Sequence, residues 1–261
     1  MQKIKLGMVG GGKGSFIGEI HRMAARLDDR YQIVAGALSS DPKIAAASAE
    51  ENNIEKSRSY DSFKIMAEKE KDLTNGIDAV AIVTPNHLHA SVAKAFLKKN
   101  IHVICDKPIT TELSDAEELE ILANESGLIF AVTYNYSGYP MVRQAKEMIA
   151  AGKLGNIRII QLEYAQDWLS ESIEKTGQKQ AAWRTNPEYA GKGGAIGDIG
   201  THAFHLAEFI TGLKTSALLA DLESFVADRT LDDNANILMQ YNNGAKGMLW
   251  VSQVASGKEN G

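Results

Sequence analysis

With one cysteine, Cys105, among 261 residues, the chain has no intramolecular disulfide. Only five prolines are present, and no Pro-rich or Gly/Ser-rich tract interrupts the chain, so no low-complexity linker is expected. No stretch approaches the roughly 20 apolar residues of a membrane span. The opening run Lys3-Ile4-Lys5-Leu6-Gly7-Met8-Val9 meets glycines without the apolar core of a signal peptide, and the expected location is the cytoplasm. Basic charge is also short: 28 Lys and Arg against 33 Asp and Glu leave a net −5. With no basic tract, this excludes a general nucleic-acid binder. What remains is ordinary for a globular chain, 44% hydrophobic and 23% charged, with length for one large domain or two modest ones.

The first half alternates short apolar runs with amphipathic segments. Strands are expected at 3–9, 31–38, 78–83, 101–105 and 128–133. Helices are expected at 16–27, 42–51, 61–71, 87–99 and 114–126. The first helix places Phe16, Ile20, Met23, Ala24 and Leu27 on one face, and Ser114 with Glu117 has the spacing of a capping box. Strands without polar alternation, separated by helices, indicate a doubly wound parallel sheet covered on both faces. After about residue 135 the runs lengthen and alternate: 156–166, 216–227, 234–241 and 245–254, with a helix at 140–151 and another at about 199–211. Asn242-Asn243-Gly244 suits a hairpin turn. The expected architecture is α/β: a Rossmann domain over 1–134, then an α+β domain over 135–261 with a largely antiparallel open sheet.

Five constellations carry chemistry. Gly10-Gly11-Gly12-Lys13-Gly14-Ser15-Phe16 joins the first strand to the first helix. Glycines there allow a tight turn and let backbone N–H groups reach a pyrophosphate at the helix N-terminus; a plain strand-to-helix turn is the alternative. After the second strand come Ser39 and Ser40, then Asp41 and Lys43. Hydroxyls and a lysine suit the 2′-phosphate of NADP, while Asp41 is equally a helix cap. Thr84-Pro85-Asn86 follows the strand at 78–83 and either caps the next helix or bonds a cofactor ribose. Asp106-Lys107-Pro108 fixes a cation at a strand's C-terminal end, where open α/β sheets bind ligands. In the second half, Gly193-Gly194-Ala195-Ile196-Gly197-Asp198-Ile199-Gly200-Thr201-His202 sets Asp198 and His202 at i, i+4. Such a pair shares one helical face and makes a general base; a capping aspartate with a buried histidine is the bland alternative. His87 and His89, two apart, make a poor metal pair, and no metal site is expected.

In this order the motifs resemble the glucose-fructose oxidoreductase / inositol dehydrogenase / MocA (Gfo/Idh/MocA) family. Asp106 stands where that family usually has glutamate, and the glycine turn is slightly longer. The family's members continue beyond the position of Gly261, so the resemblance implies an incomplete second sheet. It also implies hydride transfer between NAD or NADP and a secondary alcohol of a sugar, polyol or sugar derivative. Lys107, Asp198 and His202 are the implied catalytic set. The implied cofactor contacts are Gly10, Gly12, Lys13, Ser15, Phe16, Ile17, Ser39, Ser40, Thr84, Pro85, Asn86, His89, Asp106 and Lys107. Asn135, Tyr136, Trp183 and Arg184 are expected to join the catalytic set around the substrate, with Tyr134 beside them. Homo-oligomers through the C-terminal sheet are implied as well. Within the resemblance, an NAD-dependent glycosidase acting by transient oxidation and a non-catalytic sensor are the alternatives.

Overall fold

The computed structural model describes residues 3–259. The chain divides at Thr133/Tyr134 into two compact units. The first follows from its apolar runs. Its strands are β1 (Ile4–Gly10), β2 (Tyr31–Ala37), β3 (Ala79–Val83), β4 (His102–Cys105) and β5 (Phe130–Val132). They form one parallel sheet in the order β2-β1-β3-β4-β5. The helices are α1 (Phe16–Leu27), α2 (Pro42–Glu51), α3 (Phe63–Asp72), α4 (His89–Leu97) and α5 (Leu113–Ser126). Alternation within β3 shows why both faces need cover. Val80 and Ile82 enter a core with Val92, Phe96 and Leu97 of α4, while Ala79, Ala81 and Val83 enter a second core with Leu6, Met8 and Leu38.

Three sequence expectations for this unit change. The large apolar residues of α1 are not its core face: Phe16, Ile20, Met23 and Leu27 are exposed, and Gly18 and Ala25 are buried. The cause is close approach, since a Cβ on Gly18 would lie 2.4 Å from Gly11 Cα; only small residues fit beneath the helix. Ser114 caps nothing. The N-cap of α5 is Glu112, whose side chain makes no capping hydrogen bond, and Ser114 lies inside the first turn. The expected helix at 87–99 opens as a 3₁₀ turn, Asn86–Leu88, before α4 begins.

The second unit holds α6 (Pro140–Ala150), β6 (Ile159–Ala165), α7 (Lys179–Arg184), α8 (Pro187–Ala190), a π turn at Ile196–Gly200, α9 (Thr201–Thr211), β7 (Thr215–Glu223), β8 (Asn234–Tyr241) and β9 (Lys246–Ser252). The sheet order is β6-β9-β8-β7. β7, β8 and β9 pair antiparallel, and β6 joins β9 in parallel. Period-two alternation in β8 buries Ala235, Ile237, Met239 and Tyr241 in a core with Ile199, Ala203 and Ala207. β7 stops short of the expected residue 227 because the Asp233 carboxylate accepts from Phe225 N and Val226 N, at 2.9 and 3.1 Å, and turns the chain. Among the described residues no helix is long and apolar enough to cross a membrane.

Candidate functional site

In the first unit the glycine turn is shaped for close approach. Gly10, Gly11 and Gly14 have φ of 77°, 73° and 79°, in the left-handed region that favours glycine. Gly10 packs on the end of β3, where a Cβ would sit 2.8 Å from Val83 O. Ser15 is the N-cap of α1, and its hydroxyl accepts from Gly18 N. Gly18, outside the expected contact set, takes the packing role that a third fingerprint glycine serves. Phe16 is exposed, whereas Ile17 packs into the core with β1 and β2. The turn is docked by Gly12 N donating to Leu38 O (3.0 Å) and Lys13 N to Ser48 Oγ (2.9 Å).

The neighbouring strand ends supply the rest. Ser39 Oγ accepts from Asp41 N, and Asp41 caps α2 by accepting from Lys43 N and Ile44 N. Of the two readings of Asp41, the cap is the one its hydrogen bonds show; Ser40 is exposed. At the end of β3, Thr84 Oγ1 is buried without a hydrogen-bond partner, a polar atom suited to a ligand's donor or acceptor. Pro85 precedes the 3₁₀ turn that starts at Asn86, which is buried. His89, 1% exposed, sits between two backbone carbonyls: Nδ1 is 2.7 Å from Pro108 O and Nε2 is 3.0 Å from Thr84 O. It braces two loops from the interior, and burial lowers its pKa against the pull of those carbonyls. Asp106 Oδ1 accepts from Thr133 Oγ1 (2.8 Å) and Lys107 N (3.0 Å), so it fixes the backbone from which Lys107 projects. The Lys107–Pro108 peptide is cis. A turn that a Cβ would fill, a helix N-terminus and an orphaned threonine hydroxyl together fit a dinucleotide.

Cys105 is fully buried, and burial pushes its thiol well above the ordinary range, so it is no nucleophile.

In the second unit Asp198 lies in the π turn and His202 in the first turn of α9. The four-residue spacing keeps both on one face. Asp198 is no N-cap; its Oδ2 accepts from Arg184 Nε (3.1 Å) and Gln253 Nε2 (3.0 Å). Gln253, at the end of β9, is 2% exposed and was not legible in the sequence, because it stands 55 residues from its partner. Arg184, expected against substrate, is engaged by Asp198 and by Gln180, with its guanidinium 4.2 Å from the Trp183 ring centroid. The His202 ring is buried among tyrosines: Tyr136 at 4.9 Å, Tyr134 at 5.8 Å and Tyr164 at 6.5 Å between centroids. Tyr136 and Tyr164 share a 2.6 Å hydroxyl hydrogen bond, and burial with that bond pushes the Tyr164 phenol upward. Asn135 is exposed in the 3₁₀ turn beside them.

The glycine block is held by Asp232. Its carboxylate accepts from Gly194 N and Ile196 N, both at 2.7 Å, and its carbonyl accepts from Ala195 N. Burial pushes the Asp232 carboxyl up, while the two N–H donors pull it down. A Cβ on Gly194 would lie 2.0 Å from Asp232 O. Gly194→Ala is therefore expected to lower unfolding free energy by about 1–3 kcal/mol in urea denaturation. A loss below about 0.5 kcal/mol, the range of inert surface changes, would show that the loop moves aside freely.

Two family models account for almost the whole chain. Residues 4–134 match the oxidoreductase family with an NAD-binding Rossmann fold, and residues 142–261 match the GFO/IDH/MocA C-terminal domain. An uncharacterized oxidoreductase, YfiI of Bacillus subtilis (strain 168), is 35% identical over 257 residues. That match takes in 97% of this chain but 65% of the relative, so the chain spans less than two thirds of its length. The crystal structure of an oxidoreductase from Sinorhizobium meliloti is 54% identical with a TM-score of 0.89, over 100% of this chain and 68% of that one. An inositol dehydrogenase homolog from Azotobacter vinelandii, complexed with NADH and myo-inositol, is 36% identical with a TM-score of 0.93, over 100% and 66%. The glycine cradle, the lysine after β4 and the Asp198–His202 turn therefore belong to a member of the NAD-binding Gfo/Idh/MocA oxidoreductase family.

Proposed function

We propose that this protein is an NAD-dependent dehydrogenase acting on a secondary alcohol of a sugar or polyol. The observation that carries the reading is the second-unit pair: a histidine walled by three tyrosines, four residues after a carboxylate held by two donors. A carboxylate on the same face favours the protonated imidazole, as a base that must accept a hydroxyl proton requires. Held at the glycine turn, NAD would supply the hydride acceptor for the substrate carbon. His202 takes the hydroxyl proton. Asp198, kept in place by Arg184 and Gln253, stabilises the imidazolium that results. Lys107, on a backbone pinned by Asp106, donates a hydrogen bond to the substrate oxygen and eases loss of its proton. Tyr134 and Tyr136 offer flat faces of the kind that stack on sugar rings.

The relative bound to NADH and myo-inositol supports a polyhydroxylated substrate. Self-association is part of the same reading, supported by exposed Leu219, Leu238 and Met248, which lie side by side across β7, β8 and β9. The deciding experiment incubates the protein with NAD and a panel of sugars and polyols while following reduced-nicotinamide absorbance. Substrate-dependent reduction is the expected result. Release of a free sugar without net reduction would replace the dehydrogenase with a glycosidase, and NAD binding without turnover on any substrate would replace it with a sensor.

A further inference from the structure

The nucleotide-binding end of the first unit contains an ion pair that proton and hydride transfer do not use. Lys13 follows Gly12 in the glycine turn, and its Nζ donates to Glu51 Oε1 at 2.5 Å. Both partners are fixed from the backbone side. Lys13 N donates to Ser48 Oγ, one helical turn before Glu51, and Ser48 Oγ donates to Ile44 O at 2.6 Å. Gly12 N donates to Leu38 O, directly before Ser39 and Ser40. A Cβ on Gly12 would meet Leu38 O at 2.7 Å and Ser48 Oγ at 2.9 Å, so turn, strand end and helix are in close contact.

In this fold the adenosine ribose of a dinucleotide lies where β2 ends beside the glycine turn, and enzymes that prefer NAD place an acid there. Here the strand end offers only the hydroxyls of Ser39 and Ser40, and the nearby Asp41 carboxylate is committed to the cap of α2. Taken alone, these residues tilt toward NADP. Glu51 brings negative charge to the same corner from a different element.

Resting on the NAD-binding reading of the cradle, we propose that Glu51, by holding Lys13, makes this site select NAD over NADP. The carboxylate neutralises an ammonium that a 2′-phosphate would otherwise capture, and it repels that phosphate. Lysine suits such a latch because its ammonium is a point charge on a flexible stem and reorients when its partner is removed. Glu51 is bonded to Lys13, so its effect is expected on the ligand that carries the extra phosphate.

The test measures binding rather than turnover, by titrating NADH and NADPH separately into the protein and following nicotinamide fluorescence. Glu51→Gln is expected to raise NADPH affinity roughly five- to tenfold, as removal of one unit charge near a doubly charged phosphate in water predicts. NADH affinity is expected to change less than about twofold, and high salt to shrink the NADPH gain. Adding Lys13→Gln to Glu51→Gln is expected to remove that gain. An NADPH-to-NADH ratio in Glu51→Gln equal to wild type overturns the latch while leaving the cofactor reading intact. A gain that survives in the double variant overturns the role of Lys13. Failure of both nucleotides to bind the wild-type protein overturns the cofactor reading and the latch together.

Discussion

Lys107→Ala and His202→Ala are each expected to lower turnover by about 10²–10⁴-fold, the range that positioned acid–base groups and oxyanion donors supply. NADH binding, read by nicotinamide fluorescence, should remain, because the glycine cradle is built from β1, α1 and the end of β2. His202→Ala removes the proton acceptor and should leave a rate that rises with added hydroxide or small imidazole bases. Lys107→Ala removes a hydrogen bond to the reacting oxygen, so kcat should fall with little change in KM if that bond strengthens in the transition state. Wild-type turnover in either variant would remove that residue from the mechanism. A loss of NADH binding in parallel would instead assign the defect to the cradle.

Arg58→Met is expected to cost about 3–5 kcal/mol of unfolding free energy, the usual consequence of stranding a buried charge. Glu70 of α3 is 1% exposed and receives four donors: Arg58 Nε, Arg58 Nη2, the Tyr60 hydroxyl and Ile77 N. Burial, together with the hydrogen bond to Glu70, pushes the Tyr60 phenol up to about 12, so the ring stays a donor throughout the working range. The network ties the segment after α2 to α3 and to the entry of β3, beneath the sheet that carries the cradle. Urea denaturation gives the number. A second variant, Arg58→Met with Glu70→Leu, should recover part of the loss, because no charge is left unpaired although the Tyr60 hydroxyl and Ile77 N lose their acceptor. A loss under about 1 kcal/mol in Arg58→Met would mean that Glu70 takes up a proton or water at small cost.

The parallel sheet was legible in the sequence because its strands are continuous apolar runs, and β3 occupies the expected site within one residue. The glycine turn, Thr84-Pro85-Asn86 and Asp106-Lys107-Pro108 were legible for a related reason: glycine and proline mark backbone positions that few other residues tolerate. The face of α1 was not. Its large apolar residues gave the stronger periodic signal, but contact between Gly18 and the glycine turn decides which side of the helix meets the sheet. The end of β7 was equally hidden, since the carboxylate that turns it belongs to Asp233, several residues further along.

By itself the sequence determined the α/β alternation, the two-part organisation and the motif residues, because local backbone preference and hydrophobic period are properties of neighbouring residues. Tertiary structure alone decided which groups hold those residues in place. Gln253 and Arg184 on Asp198, Asp232 on the glycine block, His89 on Pro108 and Glu51 on Lys13 are pairings across 14 to 55 residues. No spacing rule encodes such partners. They meet only when strands and helices from distant parts of the chain pack into one unit, and packing then selects one partner among many polar side chains of similar chemistry.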